Sequence, residues 1–216
     1  MEIYQELNMR KVNLNMNTRI VVKGVSVILF LALVLLGVFF RTAWHLGENI
    51  EFVTSSTLLS ASYLGLGWAI FTPVVIMFIS DLILGNTSIF IFTWSAYMIV
   101  GVMSFFGFSM MKKSSVGFKI VIATGLAAVA SIWFYLWTNF GVWLLDSWGM
   151  YPKTLVGLID AYIMGLPFLK INLLGNLVFV PVSFFIAETA KSFYPIFRLL
   201  HPFVRSTSKS SNNFNN

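Results

Sequence analysis

A few polar and aromatic residues in this otherwise apolar chain could bind a ligand. Most of them fall between Thr138 and Asn176, in a stretch that joins two apolar segments. Carboxylates and amides supply hydrogen bonds to a small polar molecule, and indole and phenol rings supply flat apolar surface. The residues that we predict to contact a ligand are Asp81, Trp94, Asn139, Trp143, Tyr151, Asn172 and Asn176.

Each of these residues also has a structural explanation that needs no ligand. Asparagines often form hydrogen bonds between membrane helices. Asp81 could lie among lipid headgroups or cap a neighbouring helix. Tryptophan and tyrosine are enriched where a membrane meets water, and Trp137, Trp143, Trp148 and Tyr151 fit such an aromatic belt.

The composition indicates a membrane protein. Hydrophobic residues make up 58% of the chain and charged residues only 10%, whereas soluble domains carry about 25% charged residues. Apolar runs of about 20 residues, long enough to cross a bilayer, recur along the sequence. The net charge of +6 is spread over short loops and tails, so it indicates topology in a lipid bilayer rather than nucleic-acid binding.

Several classes of chemistry are not expected. The chain contains no cysteine, which excludes disulfides and thiolate sites. His45 and His201 are expected on opposite sides of the membrane, so we predict no metal site. There is no phosphate-binding loop, no nucleophile elbow and no catalytic partner for Asp81, because Glu188 is expected near the inner face. We therefore predict neither a catalytic residue nor a cofactor, and no enzyme.

The apolar runs predict six membrane-spanning helices. The second run is only about 21 Å long as a helix, and it could instead form one helix with the third. Six spans place 11 of the 14 basic residues inside, whereas five spans place only 6 there. The positive-inside rule therefore favours six spans with both termini inside. The predicted spans are Gly24–Phe40, Val53–Leu66, Trp68–Leu84, Ile89–Phe108, Phe118–Phe140 and Leu169–Ile186.

This topology places the candidate polar residues near the outer face. Asp81, Asn139, Asn172 and Asn176 are expected in the outer third of the bundle. The connection 144–168 would cover them as a lid, with its segment 153–166 on the outer surface or partly re-entrant. We predict one domain, 1–206, that begins with a short cytoplasmic segment, 1–19. The polar tail 207–216 is expected to be disordered.

Five short motifs resemble a known family. They are Ser80–Gly85, Thr138–Trp143, Tyr151–Thr154 with Gly157-Leu158, Leu166–Phe168 and Leu173–Asn176. Together they resemble a widespread, largely uncharacterised bacterial family of six-span membrane proteins. That family is similar to the substrate-binding S components of energy-coupling-factor vitamin transporters. The chain departs from the pattern in having Asn176 in place of Asp and in lacking an Ala-x-x-x-Ala pair in the first span.

The resemblance implies an all-α integral membrane protein, a bundle of six helices in the bacterial cell membrane. It implies capture and uptake of a vitamin-like or polar metabolite from the outer side. The partners would be that small molecule and an energy-coupling-factor subunit with its ATPases. The main alternative that we weigh is a membrane scaffold or assembly protein without transport activity. A third hypothesis, an intramembrane enzyme, would need a second acid or a histidine beside Asp81.

Overall fold

Six α-helices account for most of the chain in this computed structural model. The structure describes residues 2–44, 51–85, 88–111, 115–147 and 149–193, with side chains from residue 20 onward. Within these ranges the fold is all-helical, as predicted. The helices are α1 (Glu2–Thr42), α2 (Val53–Tyr63), α3 (Leu66–Leu84), α4 (Phe90–Ser109), α5 (Val116–Leu145) and α6 (Leu155–Phe193).

Local sequence signals set several helix ends. Gly65 separates α2 from α3 with a φ of 104°, and Gly85 ends α3 with a φ of 87°. Both values lie in the region that glycine adopts without steric cost. At the start of α5, the hydroxyl of Ser115 accepts a hydrogen bond from the backbone N–H of Phe118 at 3.3 Å, which is the usual serine N-cap.

Among the described residues, five helices are long and apolar enough to cross a membrane. Only 22–33% of the residues in their most apolar stretches are buried, so large apolar side chains cover the outside of the bundle. Such a surface needs lipid around it. The structure therefore fits a multi-pass membrane protein. The five segments are Ile20–Thr42 of α1, together with α3, α4, α5 and α6.

Helix α2 is the centre of the bundle. Its 11 residues are all buried, and at 1.5 Å per residue it is only about 17 Å long. It folds back on α3, since the hydroxyls of Ser60 and Thr72 lie 2.8 Å apart. The hydroxyl of Ser56 donates to the carbonyl of Leu33 in α1 at 2.9 Å. The structure thus shows a helical hairpin at 53–84, and the six-span topology with both termini inside stays a prediction.

Helix α6 is much longer than the sequence predicts. Among the described residues of the expected connection 144–168, only 146, 147 and 149–154 lie outside helices, because α6 begins at Leu155. Gly157, Ala161 and Gly165 explain the difference. They are buried at four-residue intervals on one face of the helix. A Cβ added at Gly165 would clash with Asn139 of α5, and one added at Gly157 would clash with Pro152 in the preceding turn. The segment 153–166 is therefore largely helical and does not form a free lid.

Helix α1 is also longer than expected, since it runs unbroken from Glu2. The predicted tail 207–216, the two histidines and Trp148 lie outside the described residues.

Candidate binding site

Asp81 is the centre of a hydrogen-bonded cluster at one end of the bundle. It lies near the end of α3, and only 9% of its surface is exposed. The guanidinium of Arg41, at the end of α1, donates to Asp81 Oδ1 at 2.9 Å and to Ser80 Oγ at 2.8 Å. The indole of Trp94 in α4 donates to Asp81 Oδ2 at 2.8 Å. The carboxylate therefore joins three helices.

Glu51, just before α2, brings a second carboxylate to the same guanidinium. Arg41 Nε lies 3.3 Å from Glu51 Oε1, and the hydroxyl of Tyr97 donates to Glu51 Oε2 at 3.3 Å. We call Arg41, Glu51, Asp81, Trp94 and Tyr97 the Arg41 cluster. Its one cation and two anions give a formal charge of −1. The side chains of Arg41 and Glu51 remain 16% and 21% exposed, so a solute can approach them from this end.

The three candidate asparagines form a separate group between α5 and α6. Asn176 Nδ2 donates to Ser131 Oγ at 2.8 Å and to Asn172 Oδ1 at 3.0 Å. Asn139 Nδ2 donates to the carbonyl of Tyr135 at 2.8 Å. Asn139, Asn172 and Ser131 line one cavity of about 30 Å³, which is about the volume of one water molecule. In this conformation the asparagines can hold a water but not a metabolite.

Two of these asparagines lie deeper than the predicted outer level. Asn172 and Asn176 are near the middle of α6, opposite Ser131 in the middle of α5. Trp137, six residues further along α5, donates to Ser95 beside Trp94 at 2.9 Å. At 1.5 Å per residue, the asparagine pair is therefore about 9 Å from the level of the Arg41 cluster.

Trp143 and Tyr151 lie where α5 turns into α6. Trp143 Nε1 donates to the carbonyl of Pro152 at 3.1 Å, and the ammonium of Lys153 is 5.7 Å from the centre of the Trp143 ring. Asp146 Oδ1 accepts from the backbone N–H of Tyr151 at 3.0 Å. These interactions close the turn on itself, and they already use the indole donor of Trp143.

The structure thus brings the seven predicted residues together in three places rather than in one pocket. Asp81 and Trp94 are bonded to each other, the asparagines share the α5–α6 interface, and Trp143 and Tyr151 share the turn. The ring of Tyr97, in the Arg41 cluster, packs at 4.8 Å against Phe134. Since Phe134 lines the asparagine cavity, an aromatic pair separates these two groups.

Arg41 and Glu51 are the functional candidates that the sequence analysis missed. A signal for Arg41 was present, because the predicted topology places it on the same side as Asp81, at the end of the first apolar run. A lone cation and a lone acid at one level of a bundle are expected to pair. Glu51 gave no such signal, since it lies in a short connection.

A second charged cluster lies at the opposite end of the bundle. Glu188 Oε1 accepts from the hydroxyl of Tyr63 at 2.6 Å and from Lys119 Nζ at 2.7 Å. Lys191 Nζ is 3.5 Å from Glu188 Oε2. We call Tyr63, Lys119, Glu188 and Lys191 the Glu188 cluster, and its formal charge is +1. Glu188 is therefore far from Asp81, as the sequence predicts.

The fold and these clusters define a multi-pass membrane protein with charged groups at both ends of one helical bundle. Within that class, the chain belongs to a family of unknown function, DUF6580, which matches residues 22–197. The match covers α2 to α6 and the apolar part of α1. No curated protein and no solved structure matches the chain. The family agrees with the predicted uncharacterised group, while the likeness to S components gains no support from these comparisons.

Proposed function

We propose that this protein binds a small polar molecule at the Arg41 cluster and takes part in its capture or uptake, as S components do. The observation that carries the proposal is the ion pair of Arg41 and Asp81, buried between helices and partly open at one end. Ionisable side chains within membrane helices are rare because they are costly, and they commonly mark a ligand or ion pathway. In the predicted topology this end faces the outside of the cell membrane.

The charges of the cluster favour a ligand that donates hydrogen bonds or carries a positive group. Asp81 and Glu51 carry two negative charges against the single positive charge of Arg41. A ligand would compete with Arg41 for their carboxylate oxygens, and Trp94 would offer ring surface beside them. Binding of this kind would exchange one set of hydrogen-bond partners for another.

The other predicted residues would act around this centre. Asn139, Asn172 and Asn176 would hold the α5–α6 pair that covers one side of the cluster, with a water in their cavity. Trp143 and Tyr151 would shape the outer turn. This arrangement keeps the seven residues in one functional unit while giving direct ligand contact to Asp81 and Trp94.

Uptake would require energy from another source. The sequence contains no motif for ATP hydrolysis, so a coupling subunit with ATPases, or an ion gradient, would drive transport. We propose no catalytic activity for the chain itself.

The second candidate, a membrane scaffold, is favoured because the side chains of the Arg41 cluster and of the asparagine group form hydrogen bonds with one another. The asparagine cavity of about 30 Å³ is far below the 300–1,000 Å³ or so of a typical ligand pocket. In a scaffold, the same hydrogen bonds would join helices, and the bundle would present its surface to a partner protein.

Native mass spectrometry of gently solubilised protein tests the two candidates. We expect a small molecule to co-purify with the wild-type chain and to be lost from the Asp81→Asn variant. Asp160→Asn is the matched control, because Asp160 is an exposed acid on α6 and its loss leaves the cluster intact. Size-exclusion chromatography verifies that both variants remain folded.

The outcomes separate the proposals. A ligand that stays bound to Asp81→Asn would place binding elsewhere and overturn the site. A wild-type chain that carries a partner protein and no small molecule would favour the scaffold.

A further inference from the structure

A long apolar groove lies between α1 and α6. Its volume is about 480 Å³, within the range of about 300–1,000 Å³ that small-molecule sites occupy. Leu29, Leu33 and Leu36 form one wall, Leu59 of α2 forms the floor, and Ala187 belongs to the opposite wall. The groove exists because α6 presents small side chains here, so α1 and α6 do not fill the space between them.

The groove opens sideways, where a bilayer would surround the bundle. Leu36 and Val182, which line it, are 42% and 50% exposed, and Ile186 is 60% exposed. Their exposed faces continue the apolar outer surface of the bundle. A molecule dissolved in the membrane can therefore enter the groove without passing through water.

One end of the groove is closed by three aromatic rings. The ring centre of Phe40 lies 5.5 Å from that of Phe52 and 5.4 Å from that of Phe179, and the last two are 5.9 Å apart. All three residues line the groove. This end is therefore apolar and suits the tip of a hydrocarbon chain.

The other end of the groove is positively charged. Lys191 and Tyr63 line the groove there, and both belong to the Glu188 cluster, whose formal charge is +1. Lys119 lies 2.7 Å from Glu188, whereas Lys191 lies 3.5 Å from it and keeps 22% of its side chain exposed. Lys191 is thus the cation of this cluster that can reach an anionic group outside it.

The dimensions fit a single hydrocarbon chain. The walls run from Leu29 to Phe40 and from Phe179 to Lys191, which correspond to about 17 and 18 Å of helix. The acyl chain of one leaflet spans about half of the hydrocarbon core, about 15 Å, which is close to the length of the groove. A helix from a partner would need about 20 residues to span the membrane, and it would have to pass over the three rings that close the groove. An amphiphile needs only the groove itself.

We propose that this groove binds one acyl chain of an anionic phospholipid, with the phosphate at Lys191 and the end of the chain at Phe40, Phe52 and Phe179. The phosphate would lie at the opposite end of the bundle from the Arg41 cluster, whereas Phe40 and Phe52 directly neighbour Arg41 and Glu51 in the chain. Binding of the lipid does not depend on a ligand at the Arg41 cluster. The bound lipid would fill the gap between α1 and α6 and tie the two helices together.

Native mass spectrometry in mild detergent tests the proposal with phosphatidylglycerol and phosphatidylcholine of identical acyl chains. We expect the wild-type chain to retain phosphatidylglycerol preferentially. Lys191→Gln should lower that preference about fivefold, because one basic residue near anionic lipid contributes about 1 kcal/mol to binding. Lys153→Gln, which alters an exposed lysine at the outer turn, should leave it unchanged.

A second pair of variants tests the groove itself. Ala187→Trp fills the space with a large side chain and should reduce retention of both lipids several-fold. Val178→Trp is the matched control, because Val178 is 61% exposed on α6 and lies outside the groove. If Lys191→Gln preferred phosphatidylglycerol as strongly as wild type does, or if wild type showed no preference, the role of the lysine would be overturned. The Ala187→Trp variant could instead retain both lipids as wild type does and lose a dimer or a partner protein. That result would overturn the lipid proposal and assign the groove to a partner helix.

Discussion

Asp81 accepts hydrogen bonds from side chains that lie 40 and 13 residues away in the chain. Its position therefore couples the ends of α1, α3 and α4. Glu188 has the same structural role at the opposite end of the bundle, where it joins Tyr63 of α2 to Lys119 of α5. At the scale of residues, each of these two acids pairs with basic side chains that lie at the ends of apolar helices.

Replacement of Asp81 by alanine should be strongly destabilising. Arg41 would lose its closest carboxylate, and an uncompensated buried charge costs about 3–5 kcal/mol. We expect the free energy of unfolding to fall by about 3 kcal/mol, since Glu51 remains as a partner. Reversible unfolding in mixed micelles measures this value. Asp160→Ala, at an exposed position, should stay within about 0.5 kcal/mol of wild type; an equal loss in both variants would contradict the role of the ion pair.

At the scale of elements, small residues determine how closely the helices approach. A Cβ added at Gly101 of α4 would lie 2.2 Å from the backbone carbonyl oxygen of Ala69 in α3. A backbone atom cannot turn away as a side chain can, so this contact sets the spacing of α3 and α4. Gly165 lets α6 approach α5 closely, since a Cβ there would meet the side-chain amide of Asn139.

Gly101→Ala should therefore separate α3 from α4. Overpacking of this kind costs about 1–3 kcal/mol, and we expect a loss of unfolding free energy in that range. Gly125→Ala is the matched control in α5, because a Cβ there would meet nothing within 4 Å. The same unfolding measurement compares the two variants. A stable Gly101→Ala protein would show that α3 can shift without loss.

At the scale of the whole molecule, the two charged clusters define the ends of the bundle. The contact of Arg41 with Asp81 places the ends of α1 and α3 together. The contact of Tyr63 with Glu188 places the ends of α2 and α6 together at the opposite end. Successive helices therefore alternate in direction, and the α5–α6 turn lies at the Arg41 end. If the topology prediction is correct, this end faces outward.

Single cysteines test that orientation, since the natural chain has none. Ser147, in the α5–α6 turn, is exposed, and Met110, after α4, is 84% exposed. An impermeant maleimide applied to intact cells should label Ser147→Cys at once and Met110→Cys only after the membrane is opened. The reverse pattern would mean that both termini lie outside, and it would move the proposed ligand site to the inner face.

The helices and their apolar character could be predicted because both depend on neighbouring residues. The span predicted at Trp68–Leu84 and the helix α3 (Leu66–Leu84) nearly coincide, since a run of apolar residues bounded by Gly65 and Gly85 is a local pattern. The start of α6 could not be predicted in the same way. Leu155–Leu166 contains glycines and precedes Pro167, which suggest a loop, and only packing against α5 makes those small residues favourable in a helix.

The sequence by itself determined that this is a multi-pass helical membrane protein, because the length and hydropathy of each run decide whether it can lie in lipid. It also pointed to Asp81 and Trp94, since polar groups in apolar runs stand out one by one. Only the tertiary structure decided that Arg41 and Glu51 complete their cluster, that the asparagines lie apart from it, and that a groove separates α1 from α6. These features depend on distances between helices far apart in the chain, and no local pattern of residues encodes them.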